Sequence, residues 1–427
     1  MRVESLDQEG RGIAHLDGKV IFIEGALTGE TVEYASFQRK PSYELAEAKR
    51  IIRASVSRVD PRCRYFGVCG GCSMQHLEPR AQVAAKQRVL EDNLARIGKV
   101  TPETILSPIH GPTWQYRYRA RFSARHVARK GTLVGFRERR SSFVVDMGSC
   151  EVVPTRISAL LIPLRELIAS LSIRERLPQI ELAIGDAVDV LVLRVIEPPD
   201  DADLERLKTF ATTHRVQLML QPRGPDSAYF LFPREAIALQ YRIADFDLVF
   251  PFDATDFTQV NHEINRVLVR RAIALLDPQP GERIADFFCG LGNFSLAIAR
   301  RGAQVLGVEG NARLVQRAYG NAVLNGLAGQ CSFLDRNLFE ITVQDWKDLA
   351  PFDRVLIDPP RDGAMELVKA LGAMPPARIV YVSCNPATLA RDAAVLVSVH
   401  GYRLAAAGVI NMFPHTSHVE SIAVFDR

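Results

Sequence analysis

The rhythm of apolar and polar positions changes twice along this chain. Up to about Arg53, short alternating runs such as KVIFIEG and TVEYASF are broken by Gly10, Gly12, Gly18, Gly25 and Gly29. Period-two runs separated by glycine turns predict a small β-barrel. From Pro79 to Gly98 the period lengthens. Val83, Leu90, Leu94 and Ile97 recur at helical spacing, with proline near the start and glycine at the end, which predicts one helix. Between about Val152 and Phe250, strand-like runs (VDVLVLRVI, VQLMLQP, AYFLF) alternate with helical segments and carry no catalytic constellation, so this stretch reads as scaffold. The EPPDD stretch near Glu197 is a surface turn, and no internal repeat is evident. From about Gly281 the runs RIADFF, VLGVEG, RVLID and YVS alternate with helical stretches such as SLAIARR, the pattern of a doubly wound α/β domain.

The length changes this picture only by requiring several cores. At 427 residues the chain exceeds the roughly 250–300 residues at which one core stops growing. Three domains are expected: residues 1–56, a barrel; 57–258, a central α+β unit; and 259–427, a Rossmann-like domain. With 47% hydrophobic and 24% charged residues the chain is an ordinary globular protein, and a net charge of +4 says little about partners. The start, MRVESLDQEGRG, has no apolar core segment, and no stretch reaches the roughly 20 apolar residues of a membrane span. A cytoplasmic protein without membrane contact is expected, acting as a monomer with no obligate protein partner.

Seven cysteines in so long a chain point to metal binding or catalysis rather than disulfides. Cys63, Cys69 and Cys72 fall together in CRYFGVCGGCSMQH, where two glycines let the backbone fold around an inorganic core and turn amide N–H groups toward it. Cys150, in DMGSCEVVP, is the best remaining fourth ligand. Four thiolates suit either a [4Fe–4S] cluster, the preferred reading, or structural zinc, with His76 near enough to be a zinc ligand. Buried, unligated cysteines are the plain alternative. The spacing differs from the C-x3-C-x2-C of radical enzymes, so a structural or RNA-positioning cluster is expected.

Two stretches concentrate positive charge. Arg39, Lys40, Lys49, Arg50 and Arg53 close the barrel segment. Arg117, Arg119, Arg121, Arg125, Arg129, Lys130, Arg137, Arg139 and Arg140 then meet only Glu138 in QYRYRARFSARHVARKGTLVGFRERR. Tyr116, Tyr118 and Phe122 alternate with these arginines, so a strand would put guanidinium groups on one face and aromatic rings on the other. Such a surface suits a phosphate backbone and the stacking of splayed bases, which points to RNA, while a half-buried strand with a solvated basic face is the bland alternative.

The chemistry concentrates in the last third. Gly290 and Gly292 turn the chain after the first strand, and Glu309 ends the second strand about twenty residues on, where a carboxylate reaches ribose hydroxyls. Two glycines without the full dinucleotide pattern fit S-adenosylmethionine, which lacks a pyrophosphate. Asp358 ends the next strand in RVLIDPPR, with a rigid Pro-Pro exit and Arg361 beyond. Cys384 follows another strand in YVSCNP, a placement that makes the thiol a candidate nucleophile. The loop NMFPHTSH, with His415 and His418, leads to Glu420 and a closing strand.

These segments resemble a known family, the RNA 5-methyluridine methyltransferases, through FTQVN (Phe257 to Asn261), DFFCGLGNFSL, DPPR, SCNPATLARD and MFPHTSHVES. The pattern C-x5-C-G-G-C-x-x-Q-H with a later cysteine resembles the iron–sulfur subgroup of that family, and the leading barrel resembles the TRAM domain of members that modify 23S rRNA. The resemblance implies methylation of uracil C5 using S-adenosylmethionine. Cys384 would add to C6 through a thiolate of lowered pKa, and Glu420 would remove the C5 proton. It further implies cofactor contacts at Gln259, Phe288, Asn293, Glu309, Asn337 and Asp358. Asp335 competes with Asn337 for the adenine, and Asp358 fits the uracil edge equally well. Cys289 and Cys331 are expected to be structural. Methylation of tRNA and a non-catalytic iron–sulfur RNA-binding assembly factor are the competing functions. Methylation of DNA cytosine is disfavoured because no Pro-Cys nucleophile loop precedes these motifs.

Overall fold

The computed structural model describes residues 1–427. Its first five strands form one sheet in the order Ser5–Leu6, Gly12–Leu16, Lys19–Glu24, Tyr43–Arg53, Thr31–Arg39. Arg2 pairs with Thr31, and Val3 N donates to Glu30 O at 2.9 Å, so the two ends of the sheet meet around Val3, Ala14, Ile21, Ile23 and Val32. Joining its ends leaves no free strand edge there. The unit docks through Leu27 onto Met74 and Leu77, and through a bidentate pair of Arg58 with the fully buried Glu30 at 2.6 and 2.7 Å.

The central sheet has six strands, ordered Tyr229–Phe232, Gln217–Gln221, Asp189–Arg194, Gln179–Ile184, Arg119–Val127, Gly131–Gly135. Only Asp189–Arg194 and Gln217–Gln221 run parallel, joined through the helix Asp201–His214. The three runs read as strands in the scaffold stretch all lie in this sheet. Helices Leu161–Ser170 and Asp201–His214 contribute to its core with Phe122, Ile180, Leu191 and Leu218.

The third sheet has eight strands, ordered Cys331–Asp335, Gln304–Glu309, Arg283–Phe287, Arg354–Ile357, Arg378–Ser383, Glu420–Asp426, Arg403–Ile410, Thr104–Ile105. The first five are parallel. Glu420–Asp426 is antiparallel to the strands on both of its sides. Reversal of strand order beside Arg283–Phe287 opens the crevice in which such sheets bind ligands, at the carboxyl ends of the parallel strands.

Besides Thr104–Ile105, two further segments from residues 57–258 pack with this eight-stranded unit. The hairpin Leu239–Ile243 and Leu248–Phe252 joins its core through Tyr241, Phe250 and Phe252. Helix Pro79–Asn93, capped by Glu78 accepting from Ala81 N, buries Val83 and Leu90 beside Leu389, Ala390 and Ala393 of helix Pro386–Ser398. The expected single helix ends as a π-turn, Leu94–Gly98, and this change of pitch leaves Ile97 exposed rather than buried. No helix is long and apolar enough to cross a membrane.

Candidate active site

Asp358, Cys384 and Glu420 converge because each stands at the same end of adjacent strands. Asp358 follows Arg354–Ile357, Cys384 follows Arg378–Ser383, and Ser383 pairs with Ser421, so Glu420 enters the sheet beside Cys384. The loop bearing Arg361 is fastened to helix Pro386–Ser398. Asp392 accepts from Ala364 N at 2.8 Å and from Tyr381 Oη at 2.7 Å, and Asn385 Nδ2 donates to Arg361 O at 3.1 Å. Gly363 is required there. Its φ is +77°, and a Cβ would lie 2.7 Å from Arg391 Nη2 and 2.8 Å from Asp392 Oδ2. Arg361 sits at the exposed mouth, its guanidinium 2.8 Å from His418 Nδ1.

Burial dominates the electrostatics of this end of the sheet. It pushes the Asp358 carboxyl up to about 7. Burial, then the neighbouring Asp358, push Glu420 up to about 8, against the pull of Lys86 and Arg361. The Cys384 thiol was expected to be lowered. Instead burial, with Glu420 and Asp358, pushes it up to about 11, and only Arg361 among the charged groups favours the thiolate.

Of the cofactor candidates, Phe288, Glu309, Asn337 and Asp358 stand at or just past the carboxyl ends of adjacent parallel strands. Glu309 accepts from Gly290 N and Asn311 N, both at 3.1 Å, which ties its carboxylate to the glycine turn. Gly290 has φ +56° and open space where a Cβ would stand, so a ligand can approach the backbone. Phe288, also at positive φ, faces Phe339 with ring centroids 5.7 Å apart. Asp335 pairs in register with Glu309, whereas Asn337 accepts from Phe339 N within its own turn. Gln259 is half-buried. Asn293 exchanges hydrogen bonds with Asn265 at 3.0 Å and accepts from Tyr241 Oη at 2.9 Å, leaving one side-chain N–H for a ligand. A carboxylate for the ribose, aromatic rings and an open glycine turn fit S-adenosylmethionine. Cys289 and Cys331 are buried.

Cys63, Cys69, Cys72 and Cys150 come together around one small cavity walled by Phe66 and Phe136. Gly71 N donates to Cys69 Sγ at 3.4 Å, and the N–H groups of Val152 and Val153 point at Cys150. Burial pushes Cys69 up to about 11 and Cys72 up to about 12 as free thiols. No group of three or more His, Cys, Asp or Glu side chains, these four cysteines included, is arranged to hold a metal ion. His76 lies buried against Phe66 and outside the cavity lining.

The basic strand departs from expectation on its aromatic side. Strand Arg119–Val127 alternates as read, with Arg121 and Arg125 exposed and Phe122 buried. The rings, however, serve packing. Phe122 is fully buried, Tyr116 Oη donates to Pro414 O at 2.8 Å, and Tyr118 stacks on His262 at 4.3 Å. Tyr116 and Phe122 are thereby closed to a base, and half-buried Tyr118 gives one of its faces to His262. Arg119 turns inward, donating to Ala254 O at 2.7 Å and Asp256 O at 2.8 Å, and so holds the loop that carries Phe257 and Gln259. Arg140 pairs with Glu24 of the N-terminal sheet at 2.8 Å. Arg125, Arg129, Lys130 and Arg137 remain exposed. The inward role of Arg119 had no local signal, because alternation does not reveal which carbonyl a terminal arginine meets.

A profile described as the tRNA (Uracil-5-)-methyltransferase family matches residues 78–427, and one for the TRAM domain matches residues 2–33. The chain is 61% identical over 428 residues to the 23S rRNA (uracil(1939)-C(5))-methyltransferase RlmD of Nitrosospira multiformis, covering 100% of this chain and 98% of that protein. It is 60% identical to the RlmD of Aromatoleum aromaticum, covering 100% and 99%. Among solved structures, the tRNA (uracil-54, C5)-methyltransferase of Pyrococcus abyssi, in complex with S-adenosyl-L-homocysteine, superposes with a TM-score of 0.75 at 25% identity over 100% of this chain and 99% of that one. The chain therefore belongs to the uracil-C5 RNA methyltransferase family and carries a TRAM domain ahead of its methyltransferase fold.

Proposed function

We propose that this enzyme methylates C5 of one uridine in 23S rRNA, the position corresponding to 1939 in its relatives' names, through a covalent adduct at Cys384. The observation that carries this reading is the register that sets Glu420 beside Cys384 at the mouth of the crevice, together with full-length identity near 60% to the RlmD proteins. When bound, S-adenosylmethionine supplies an electrophilic methyl group on a sulfonium. C5 of uracil is too weak a nucleophile to take it directly. Cys384, its proton lost to solvent, adds through sulfur to C6, and the C5=C6 electron pair moves toward C5 and O4. C5 then takes the methyl group, whose bond to the sulfonium sulfur breaks and leaves its electron pair on that sulfur as a neutral thioether. Glu420 removes the remaining C5 hydrogen as a proton, the C5–H electrons re-form C5=C6, and the C6–S bond breaks to return the thiolate. Burial of Asp358 and Glu420 favours their neutral forms, which removes like charge from beside the sulfur as it adds. Asp358 is assigned to the uracil edge or the cofactor amine. Gln259, Phe288, Asn293 and Glu309 are assigned to the cofactor, with Asp335 better placed than Asn337 for its adenosine.

We also assign a [4Fe–4S] cluster to Cys63, Cys69, Cys72 and Cys150. Four sulfurs around an apolar cavity and backbone N–H groups directed at them support it. Four thiolates also suit structural zinc, and metal analysis of the purified protein separates the two. RNA contact is assigned to the exposed Arg121, Arg125, Arg129 and Lys130 and to the N-terminal sheet.

Nucleoside mass spectrometry on unmodified 23S rRNA and tRNA, each incubated with anaerobically purified enzyme and S-adenosylmethionine, tests the reading. We expect 5-methyluridine in 23S rRNA alone, abolished by Cys384→Ala while RNA binding persists. Product in tRNA alone would move the substrate to the other branch of the family, and a Cys384→Ala enzyme that still methylates would remove the covalent route.

A further inference from the structure

Residues 411–419 carry the chain from strand Arg403–Ile410 to Glu420, and side chains from a distant part of the sequence hold them. Gln82 and Lys86 stand one turn apart on helix Pro79–Asn93 and so share a face. They are 0% and 2% exposed. Gln82 Oε1 accepts from His415 N at 2.8 Å, while its Nε2 donates to Met74 O at 3.0 Å and Leu77 O at 2.8 Å. Lys86 Nζ donates to Asn411 Oδ1 at 2.7 Å and Phe413 O at 2.8 Å. Ser73 N and Met74 N, just after Cys72, both donate to His415 O at 2.9 Å, and Ser417 N donates to Ser73 Oγ at 3.0 Å. Trp114 stacks on the His415 ring at 3.9 Å.

Two features show that this is more than packing. His415 has φ +65°, a left-handed conformation that costs a non-glycine residue of order 1 kcal/mol and persists only where its surroundings over-determine it. Burying an ammonium group is also costly, and a methionine would fill the same space without that cost. The lysine is placed where its amine reaches both the first side chain of the loop and a carbonyl two residues on, and where its charge acts on Glu420.

We propose that Gln82 and Lys86 are positioning residues for the reaction, a two-point clamp that fixes residues 411–419 so that the Glu420 carboxylate meets the C5 hydrogen. This rests on Glu420 being the base. The clamp acts on the elimination step and leaves addition of the Cys384 sulfur to C6 untouched, so its loss has a signature that general destabilisation lacks.

The test uses the full-length enzyme with a 23S rRNA fragment and S-adenosylmethionine. It reads covalent protein–RNA adduct on a denaturing gel, 5-methyluridine by mass spectrometry, RNA binding on filters and thermal unfolding. Lys86→Met removes both bonds to the loop. It is expected to bind RNA normally and form adduct, but to resolve it about 100-fold more slowly, the size of effect that about an ångström of misplacement produces. Lys86→Gln keeps a donor without the charge and is expected to recover most of the resolution rate. Asn411→Ala removes one anchor from the loop side and is expected to show the same accumulation in weaker form; it decides the matter should Lys86→Met fail to fold. Folded variants that lose product without accumulating adduct, or that turn over at the normal rate, would overturn the proposal. Glu420→Gln runs alongside. If it accumulates no adduct, the base assignment itself fails and takes the clamp with it, a result distinct from a Glu420→Gln adduct unmatched by the Lys86 variants.

Discussion

As the proposed base, Glu420 must carry a negative charge to take a proton, in a place that disfavours negative charge. Burial and Asp358 hold its carboxyl at about 8, so at neutral pH most of it is protonated and unable to accept the C5 hydrogen. As pH rises through about 8 the carboxylate forms and elimination accelerates. Deprotonation of Cys384, held at about 11, pushes the whole reaction in the same direction. We therefore expect the lifetime of the protein–RNA adduct to shorten steadily from about pH 6 to about pH 9. Glu420→Gln should convert it into a stable adduct visible on a denaturing gel. An adduct lifetime flat across that range, or no shifted band with Glu420→Gln, would remove Glu420 from the role.

The strand Arg119–Val127 shows how one element serves two masters. Its outward Arg121 and Arg125 are the ones proposed to meet RNA, its inward ring, Phe122, belongs to the central core, and Arg119 at its start reaches the loop that carries Phe257 and Gln259. Arg119→Leu leaves two buried carbonyls without donors and should cost about 2–3 kcal/mol of stability. It should also weaken S-adenosylmethionine binding through Gln259, measurable by calorimetry; unchanged cofactor affinity would argue against the Gln259 contact. This element also marks the limit of what the residues reveal in order. Cys384, Asp358 and Glu309 were legible because strand ends in doubly wound sheets are where chemistry collects, and motif and topology agreed there. Alternation in QYRYRARF placed Phe122 inward and Arg121 outward as read, but not Arg119, which turns inward. It could not tell that the aromatic face was already filled by Pro414 and His262, since both partners lie more than a hundred residues away. For the same reason the helix Pro79–Asn93 was legible as a helix, but its docking against Pro386–Ser398, and with it the functions of Gln82 and Lys86, was not.

Across the whole molecule the cysteine-rich segment is a junction. It touches the N-terminal sheet through Met74 and Leu77, the segment just after the central sheet's edge strand Gly131–Gly135 through the bridge of Cys69 to Glu138, and the loop before Glu420 through Ser73. Protein prepared without oxygen is expected to be brown, with absorbance near roughly 400 nm from thiolate-bound iron. Cys150→Ser should bleach that colour and lower the melting temperature, because a ligand from the central domain is lost. Stoichiometric zinc without iron would overturn the cluster assignment. The strand Glu420–Asp426 has a further consequence. It lies between two partners, with six register pairs to Arg378–Ser383 and seven to Arg403–Ile410, so the ladder itself acts as a ruler for the base. Side chains on a strand alternate faces, so inserting or deleting one residue within these seven would put the carboxylate out of phase and turn it to the far face. Composition and hydrophobicity would barely change, yet the base would be gone. Length variation among natural variants should therefore collect in the loops and be absent from this strand.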